Sequence, residues 1–238
     1  MRIGIVSDIH SNRQALDAMR EDFSDRNVDS FWCTGDFVNY GGDPAYIMEW
    51  SLEAVDYAVL GNHDAVICHR EYPKYFNKYA KETIPFTRAQ LSDAQSDWLS
   101  NLPFEREVQG VKLVHASPYN PDEWVYIMSK SQAQSQFKFF SEQICFYGHT
   151  HVQVGYDSKG NTYYEGTIKI ESNTRYLVNP GSIGQPRDRD SRWGAAIYDT
   201  QDKTIELIRG DYDIDGAIKD IFQNDLPRYL GHRLHEGK

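Results

Sequence analysis

At 238 residues, 40% of them hydrophobic, the chain can bury a sizeable core as one large domain or two small ones. Its formal net charge of −10 excludes a general attraction to nucleic acid or to an anionic membrane, so any phosphate must be held locally, by a metal or a few placed cations. No window reaches the roughly 18 apolar residues of a membrane span and the start MRIGIVSDIH lacks a signal-peptide pattern, which makes a cytoplasmic location the default expectation.

Along the chain, RIGIVSD reads as a strand, NRQALDAMREDF as an amphipathic helix, VDSFWCTGD as a second strand, PAYIMEWSLEA as a second helix and DYAVLGNHD as a third strand. That alternation predicts a right-handed βαβαβ unit on a parallel sheet. Residues 71–102 turn polar and helical, broken by Pro73 and Pro85, and read as a small inserted helical pair. VKLVHAS restores a strand, SKSQAQSQFKFFSEQ is helical, and ICFYGHTHVQVGY is a strand, an interruption and a strand. NTYYEG, RYLVNPGS, RWGAAIYDT and KTIELIRGDY then predict an antiparallel or mixed sheet, closed by a short helix at DGAIKDIFQN. No Ser/Gly-rich linker separates the halves, so a single domain over 1–238 is expected. The three cysteines, Cys33, Cys68 and Cys145, are too few and too scattered for a disulfide framework, and Cys33 and Cys145 read as buried strand residues.

Polar residues gather where the strands end. Asp8 and His10 follow IGIVS, Gly35 and Asp36 follow FWCT, Gly61 to Asp64 follow YAVL, His115 follows KLV, and His149 and His151 interrupt the sixth run. Ligands of open α/β sheets collect beyond the carboxyl ends of strands, so these segments can converge. One such histidine alone would more often be a structural hydrogen-bonder; five segments that agree in position point to a site. Asp, Asn and His offer oxygen and imidazole without thiolate, which suits Mn²⁺, Fe²⁺ or Zn²⁺. Alternation along extended backbone would send Asp8 and His10 to one side, and likewise His149 and His151.

The motifs D-I-H at Asp8 to His10, G-D at Gly35 and Asp36, G-N-H-D at Gly61 to Asp64, His115, and G-H-T-H at Gly148 to His151 together resemble the calcineurin-like metallophosphoesterase superfamily. NPGSIGQPR, Asn179 to Arg187, resembles its small prokaryotic phosphodiesterase-like branch. The resemblance implies an α/β fold, a four-layer α/β/β/α sandwich of two mixed β-sheets flanked by helices, and a di-metal site. One ion would take Asp8, His10, His151 and a bridging Asp36; the other would take Asp36, Asn62, His115 and His149. It further implies that His63 is no ligand but lies beside the substrate, as the acid for the leaving oxygen or as a donor to the phosphoryl group. Two cations about 3.5–4 Å apart generate hydroxide from a shared water near neutral pH and clamp phosphoryl oxygens for in-line attack.

One departure narrows the class. Phosphoprotein phosphatases of the superfamily show G-D-x-x-D-R-G and an arginine before G-N-H, whereas this chain has GDFVNYGG and YAVLGNHD. Asn39 replaces the carboxylate expected to orient His63, where it is expected to accept a hydrogen bond, and two phosphate-binding arginines are missing. That favours a phosphodiesterase or small-molecule phosphatase over a bacterial serine/threonine phosphoprotein phosphatase or dinucleoside tetraphosphate hydrolase. A metal-retaining binding scaffold is the non-enzymatic alternative, and His63, which metal retention does not require, argues against it. The partner expected is a small phosphorylated substrate. Asn12 reads chiefly as a helix cap close enough to touch phosphate, Arg187 as a candidate substrate contact within a solvated loop that also carries Arg189 and Arg192, and Tyr119 and Trp124 as loop packing or a nucleobase wall. His69, His232 and His235 have no assigned role.

Overall fold

The computed structural model describes residues 1–238 and places the alternating N-terminal pattern as β1 (Arg2–Val6), α1 (Arg13–Asp25), β2 (Ser30–Cys33), α2 (Pro44–Ala54) and β3 (Val55–Ala58). Helix α1 starts because the Asn12 side chain accepts from the Ala15 N–H, and it docks because Ala15, Leu16, Met19 and Phe23 share one buried face. Asp43 caps α2, and Pro44 occupies its first turn, where a missing N–H costs little. A short helix, α3 (Asn62–Ile67), follows β3 after three residues.

The insertion is three short helices rather than a pair: α4 (Lys78–Glu82), α5 (Ile84–Gln90) and α6 (Asp93–Ser100). Pro85 does not break the run but sits in the first turn of α5, while Ser92 and Gln95 form a capping box that restarts it as α6. Strand β4 (Glu105–Val108) has no sequence expectation behind it, since EREV carries three charges; it exists as the antiparallel partner of β5 (Val111–Val114). Helix α7 (Lys130–Gln136) stops well short of the helical run expected there. Then come β6 (Ile144–Phe146), β7 (Val154–Asp157), β8 (Thr162–Tyr163), β9 (Gly166–Lys169), β10 (Tyr176–Asn179), β11 (Trp193–Asp199), β12 (Thr204–Gly210) and α8 (Ile214–Gln223). The chain does not close on α8: a further helix, α9 (Arg228–Glu236), packs Leu230 and Leu234 against Ala217 and Ile221 of α8.

Two six-stranded sheets result, in the orders β3-β2-β1-β11-β12-β9 and β4-β5-β6-β10-β7-β8. Both are mixed. β1, β2 and β3 run parallel with β11 returning antiparallel to β1, and β5, β6 and β10 run parallel with β4 and β7 antiparallel. The pleat sorts the side chains into layers. Ile3, Ile5, Trp32, Ala196 and Ile205 of the first sheet meet Val111, Leu113, Ile144, Phe146 and Val178 of the second. On the outer faces, Val6, Cys33 and Ala58 pack under α1, α2 and α3, and Val114, Cys145, Tyr147 and Leu177 pack under Ala133 of α7. The four-layer sandwich expected from the motifs is therefore the observed fold. All three cysteines are buried and free.

Candidate metal centre and substrate cleft

The carboxyl ends of β1, β2 and β3 in one sheet and of β5 and β6 in the other point to a common edge, and the five motif segments meet there. The reason differs from the expected alternation. Asp8, His10, Ser11, Asp36, His149 and His151 all have left-handed backbone, with φ of 51°, 48°, 56°, 59°, 65° and 58°. Each such residue costs of order 1–2 kcal/mol, so the turn must be held from outside. Backbone bonds from Asp8 to Gly35, His10 to Asp36 and Ser11 to Phe37, at 3.0–3.1 Å, lace the segment after β1 to the segment after β2. Glycine is required where the segments touch: a Cβ at Gly61 would overlap the Asp36 carboxylate, and one at Gly148 would overlap Ser7 and Asp8.

Asp8, His10, Asp36 and His151 form one buried group of candidate ligands, and Asp36, His115 and His149 a second; Asp36 is common to both. In the first group the Nδ1 atoms of His10 and His151 face the carbonyls of Val38 (3.2 Å) and Gln185 (2.5 Å), which accept only. Both rings, held neutral, therefore point lone pairs inward, and their Nε2 atoms are 3.2 Å apart. Asp8 Oδ2 accepts from the Ser7 hydroxyl (2.6 Å) and the His149 N–H (3.0 Å), while its Oδ1, 3.1 Å from His151 Nε2, is buried with no donor at all. Facing lone pairs around an orphaned carboxylate oxygen are repulsive on their own and attractive around a cation. The 3.2 Å separation is also near that of two ligands each about 2.1 Å from one ion.

The second group repeats the pattern. His115 Nδ1 donates to the Thr34 carbonyl at 2.7 Å, and its Nε2 lies 3.0 Å from Asn62 Oδ1, 3.3 Å from Asp36 Oδ2 and 3.2 Å from His149 Nδ1. Asp36 Oδ1 accepts the His63 backbone N–H at 2.8 Å, leaving Oδ2 between His115 and His10, the latter at 3.6 Å. Electrostatics agree with a cation site. Burial lowers His10 to about 3 despite Asp36, and drives His63, His149 and His151 well below the ordinary imidazole value. His115 alone moves up, to about 9: burial opposes a charge there, and the Asp36 carboxylate outweighs it. His10, His149 and His151 are thus kept neutral at physiological pH, the form that binds metal, while His115 holds a proton against Asp36 that a bound cation would displace.

Residues around the centre hold it. Asp64, whose role the sequence did not reveal, accepts backbone N–H bonds from Asp36 (2.8 Å), Phe37 (2.9 Å), Val38 (3.3 Å) and Gly61 (3.2 Å). Burial and the neighbouring Asp36 push this carboxyl up, but donors at both oxygens leave no place for a proton, and the ionised form is the one the geometry requires. The aspartate after G-N-H was the available signal. Asn12 commits both ends of its amide within the fold, Oδ1 to the α1 cap and Nδ2 to the Gly184 carbonyl at 2.9 Å.

Asn39 contacts His63 in the direction opposite to the expected one. Its Nδ2 lies 3.2 Å from the Ala80 carbonyl, which can only accept, so this nitrogen also donates to His63 Nδ1 at 2.8 Å. Thr83 donates to Asn39 Oδ1 at 2.5 Å. His63 is thereby held as the neutral tautomer with the proton on Nε2, its ring stacked on Phe76 at 4.2 Å.

A cleft of about 580 Å³ opens over the centre, lined by Asn62, His63 and His149. Arg187, the candidate substrate contact, lines the cleft, and so does Arg233 of α9, for which the sequence carried no expectation. Arg187 is placed by its backbone N–H on the His151 carbonyl (3.1 Å). Trp124 is part of the wall: it packs on His115 and Phe104, and its indole N–H donates to Glu71 at 2.9 Å. Tyr119 pairs with Phe139 instead, and Arg192 is an exposed partner of Asp190. Arg189, His69, His232 and His235 lie outside the cleft lining. No helix is long and apolar enough to cross a membrane.

Comparison with known proteins fits this geometry. The calcineurin-like phosphoesterase superfamily domain matches residues 1–203. The chain is 35% identical over 241 residues to the uncharacterized protein MJ0912 of Methanocaldococcus jannaschii, covering 99% of this chain and 98% of that one. Among solved structures, a metallophosphoesterase from Sphaerobacter thermophilus is similar at TM-score 0.90 and 32% identity, covering 100% of this chain and 99% of that one. The hypothetical protein PH1004 of Pyrococcus horikoshii OT3 shares the fold at TM-score 0.79 and 18% identity, covering 100% and 98%. With this family match over most of its length and its motif residues gathered at one strand edge, the chain belongs to the calcineurin-like phosphoesterase superfamily.

Proposed function

We propose that the chain is a di-metal-dependent phosphoesterase that hydrolyses phosphodiester or small phosphomonoester substrates. The observation that supports it most directly is the pair of inward-facing nitrogens of His10 and His151, 3.2 Å apart beside the donor-less Oδ1 of Asp8. Asp8, His10, Asp36 and His151 would hold one ion, and Asp36, Asn62, His115 and His149 the other, with Asp36 common to both. Oxygen and imidazole donors without thiolate suit Mn²⁺ first, with Fe²⁺ or Zn²⁺ as alternatives. When bound, such ions supply an activated water and withdraw charge from the phosphoryl oxygens.

The chain's own residues do the rest. Val38, Gln185 and Thr34 fix the ring tautomers of His10, His151 and His115, so that no reorganisation is needed when substrate arrives. His63, held by Asn39, presents a neutral Nε2–H to the cleft, a donor for a phosphoryl or leaving oxygen. A neutral imidazole is a weak acid, so this arrangement suits leaving groups that depart as stable anions.

The test is hydrolysis of bis(p-nitrophenyl) phosphate and p-nitrophenyl phosphate by protein loaded with Mn²⁺. Turnover that a chelator removes and Mn²⁺ restores is expected. Protein that binds two equivalents of Mn²⁺ yet turns over neither ester would overturn the reading in favour of a metal-retaining scaffold.

A further inference from the structure

The walls of the cleft carry more recognition chemistry than cleavage of a bare phosphoryl group needs. Arg187 donates to Gln185 Oε1 at 2.7 Å and lies 5.8 Å above the Tyr40 ring, and its Nε is buried with no partner. Arg233 reaches the cleft from α9, tethered through Nε to the Lys238 backbone oxygen. Neither forms an ion pair with Glu71 or Glu123, the acids of the same cleft, and Glu71 is engaged by the Trp124 indole. Arg187 and Arg233 line the same cleft, and burial and then the Arg187 charge hold the Arg233 guanidinium below its ordinary value; two such groups are stable together when an anion lies between them.

The same cleft is lined with aromatic rings. Tyr79 and Tyr229 stack at 4.4 Å and 17°, and Phe76 stacks on His63. Tyr72 and Tyr75 also line it and are 92% and 85% exposed, so they contribute almost nothing to the core. Large rings left in water beside a polar centre mark a binding surface.

We infer that the cleft recognises a nucleoside polyphosphate, with Arg187 and Arg233 holding the phosphate beyond the scissile one and Tyr72, Tyr75 and Tyr229 offering stacking faces to the base. This rests on the phosphoesterase reading and extends its attack at phosphorus from esters to a phosphoanhydride substrate. One phosphoryl group is neutralised by the centre itself, and two further guanidiniums call for a second phosphate. A flat head on an anionic chain then fits both walls, in a volume of about 580 Å³ that accommodates a small ligand of this size. Hydrolysis adds water across one P–O–P link: the water oxygen bonds to phosphorus, the bridging P–O bond breaks with its electrons on the departing phosphate, and the released proton goes to solvent.

The test is calorimetric binding to the Mn²⁺-loaded protein of three probes: the β,γ-imido analogue of ATP, inorganic tripolyphosphate and AMP. The analogue is expected to bind at least about tenfold more tightly than either of the others. Arg233→Ala should remove about 10- to 100-fold from the analogue and much less from AMP, and Arg233→Lys should recover part of it. The exposed pair Tyr72→Ala with Tyr75→Ala should weaken the analogue about 5- to 100-fold and leave tripolyphosphate unchanged. Equal binding of analogue and tripolyphosphate by wild type, indifference to Arg233→Ala, or tighter binding of a phosphotyrosine peptide would overturn the inference. Hydrolysis of chromogenic esters with no preference for nucleotide refutes it alone; nucleotide preference without hydrolysis of any ester refutes the phosphoesterase reading alone.

Discussion

Asn39 donates its amide N–H to Nδ1 of His63 at 2.8 Å, and the Ala80 carbonyl, 3.2 Å from the same nitrogen, fixes that direction. A carboxylate in this position would accept from Nδ1 and stabilise the imidazolium; this amide instead disfavours it. In the proposed reaction His63 would therefore act as a hydrogen-bond donor more than as a proton source. His63→Ala should retain metal and lose about 10²–10³ in kcat, the range for removing one donor to a charged oxygen. His63→Gln, which keeps an N–H, should recover part of that loss. Identical rates for the two variants would remove the donor role.

Changing the orienting residue tests the same relationship from the other side. Asn39→Asp places an acceptor on Nδ1 and should raise turnover of alkyl phosphodiesters relative to nitrophenyl ones, because only the alkoxide needs a proton. The new carboxylate also faces the Ala80 carbonyl, so a lower melting temperature should accompany the change. An unchanged alkyl-to-nitrophenyl ratio in a folded, metal-loaded variant would argue that Asn39 acts only as packing.

Asp36 is the residue common to both ligand groups, with Oδ2 3.6 Å from His10 Nε2 and 3.3 Å from His115 Nε2. Asp36→Asn should therefore lose metal from both positions, since the shared anion offsets the mutual repulsion of two cations, whereas His151→Ala should mainly empty one. Elemental analysis after dialysis is the readout. Two ions retained by the Asp36→Asn protein would exclude a bridging role.

The candidate ligand residues stand out in the sequence because their chemistry is compressed into short motifs at strand ends. The way they converge was not: periodicity reads Asp8 and His10 as extended, while left-handed turns, held by bonds to the segment after β2, aim them. The direction of the Asn39 bond depends on Ala80 and Thr83, about forty residues away in the insertion. Arg233 was hidden because RYLGHRLHE is a short helix without an N-cap side chain, recognisable mainly by its packing on α8. β4 was missed for a related reason, since its partner rather than its composition makes it a strand.

Asp64 makes a prediction about stability. Its carboxylate collects four backbone N–H groups from the two segments that carry Asp36 and Gly61. In Asp64→Asn an amide NH₂ would confront at least one of those donors and leave it unsatisfied, at about 1–3 kcal/mol for each group lost. Urea denaturation of the metal-free proteins should show a loss of about 2–4 kcal/mol. A loss below about 0.5 kcal/mol would mean that the segments are held without it.

Asp157, at the end of β7, makes a prediction about pH at a distance from the centre. Its Oδ1 accepts the N–H groups of Lys159 (2.9 Å) and Asn161 (2.8 Å), and its Oδ2 accepts the Asn161 side chain (2.7 Å) and the Tyr163 hydroxyl (2.9 Å). Burial would raise this carboxyl; the bonds, led by those of Asn161, outweigh it and hold the group below its ordinary 3.8. A carboxylate depressed by folding stabilises the fold above the unfolded value, and the contribution disappears as pH falls through the lower, folded value. Asp157→Asn keeps the shape, removes the charge and turns one N–H against the donors. The variant should be less stable than wild type by about 1–2 kcal/mol at pH 7. That gap should hold down to about pH 5 and narrow below about pH 4 as the wild-type carboxylate protonates. Urea midpoints at pH 7, 5 and 3.5 measure it. Every other carboxylate is common to the two proteins, so the difference between them isolates Asp157. A gap that stays constant to pH 3 would show that the hairpin is held by hydrogen-bond geometry alone and not by the charge.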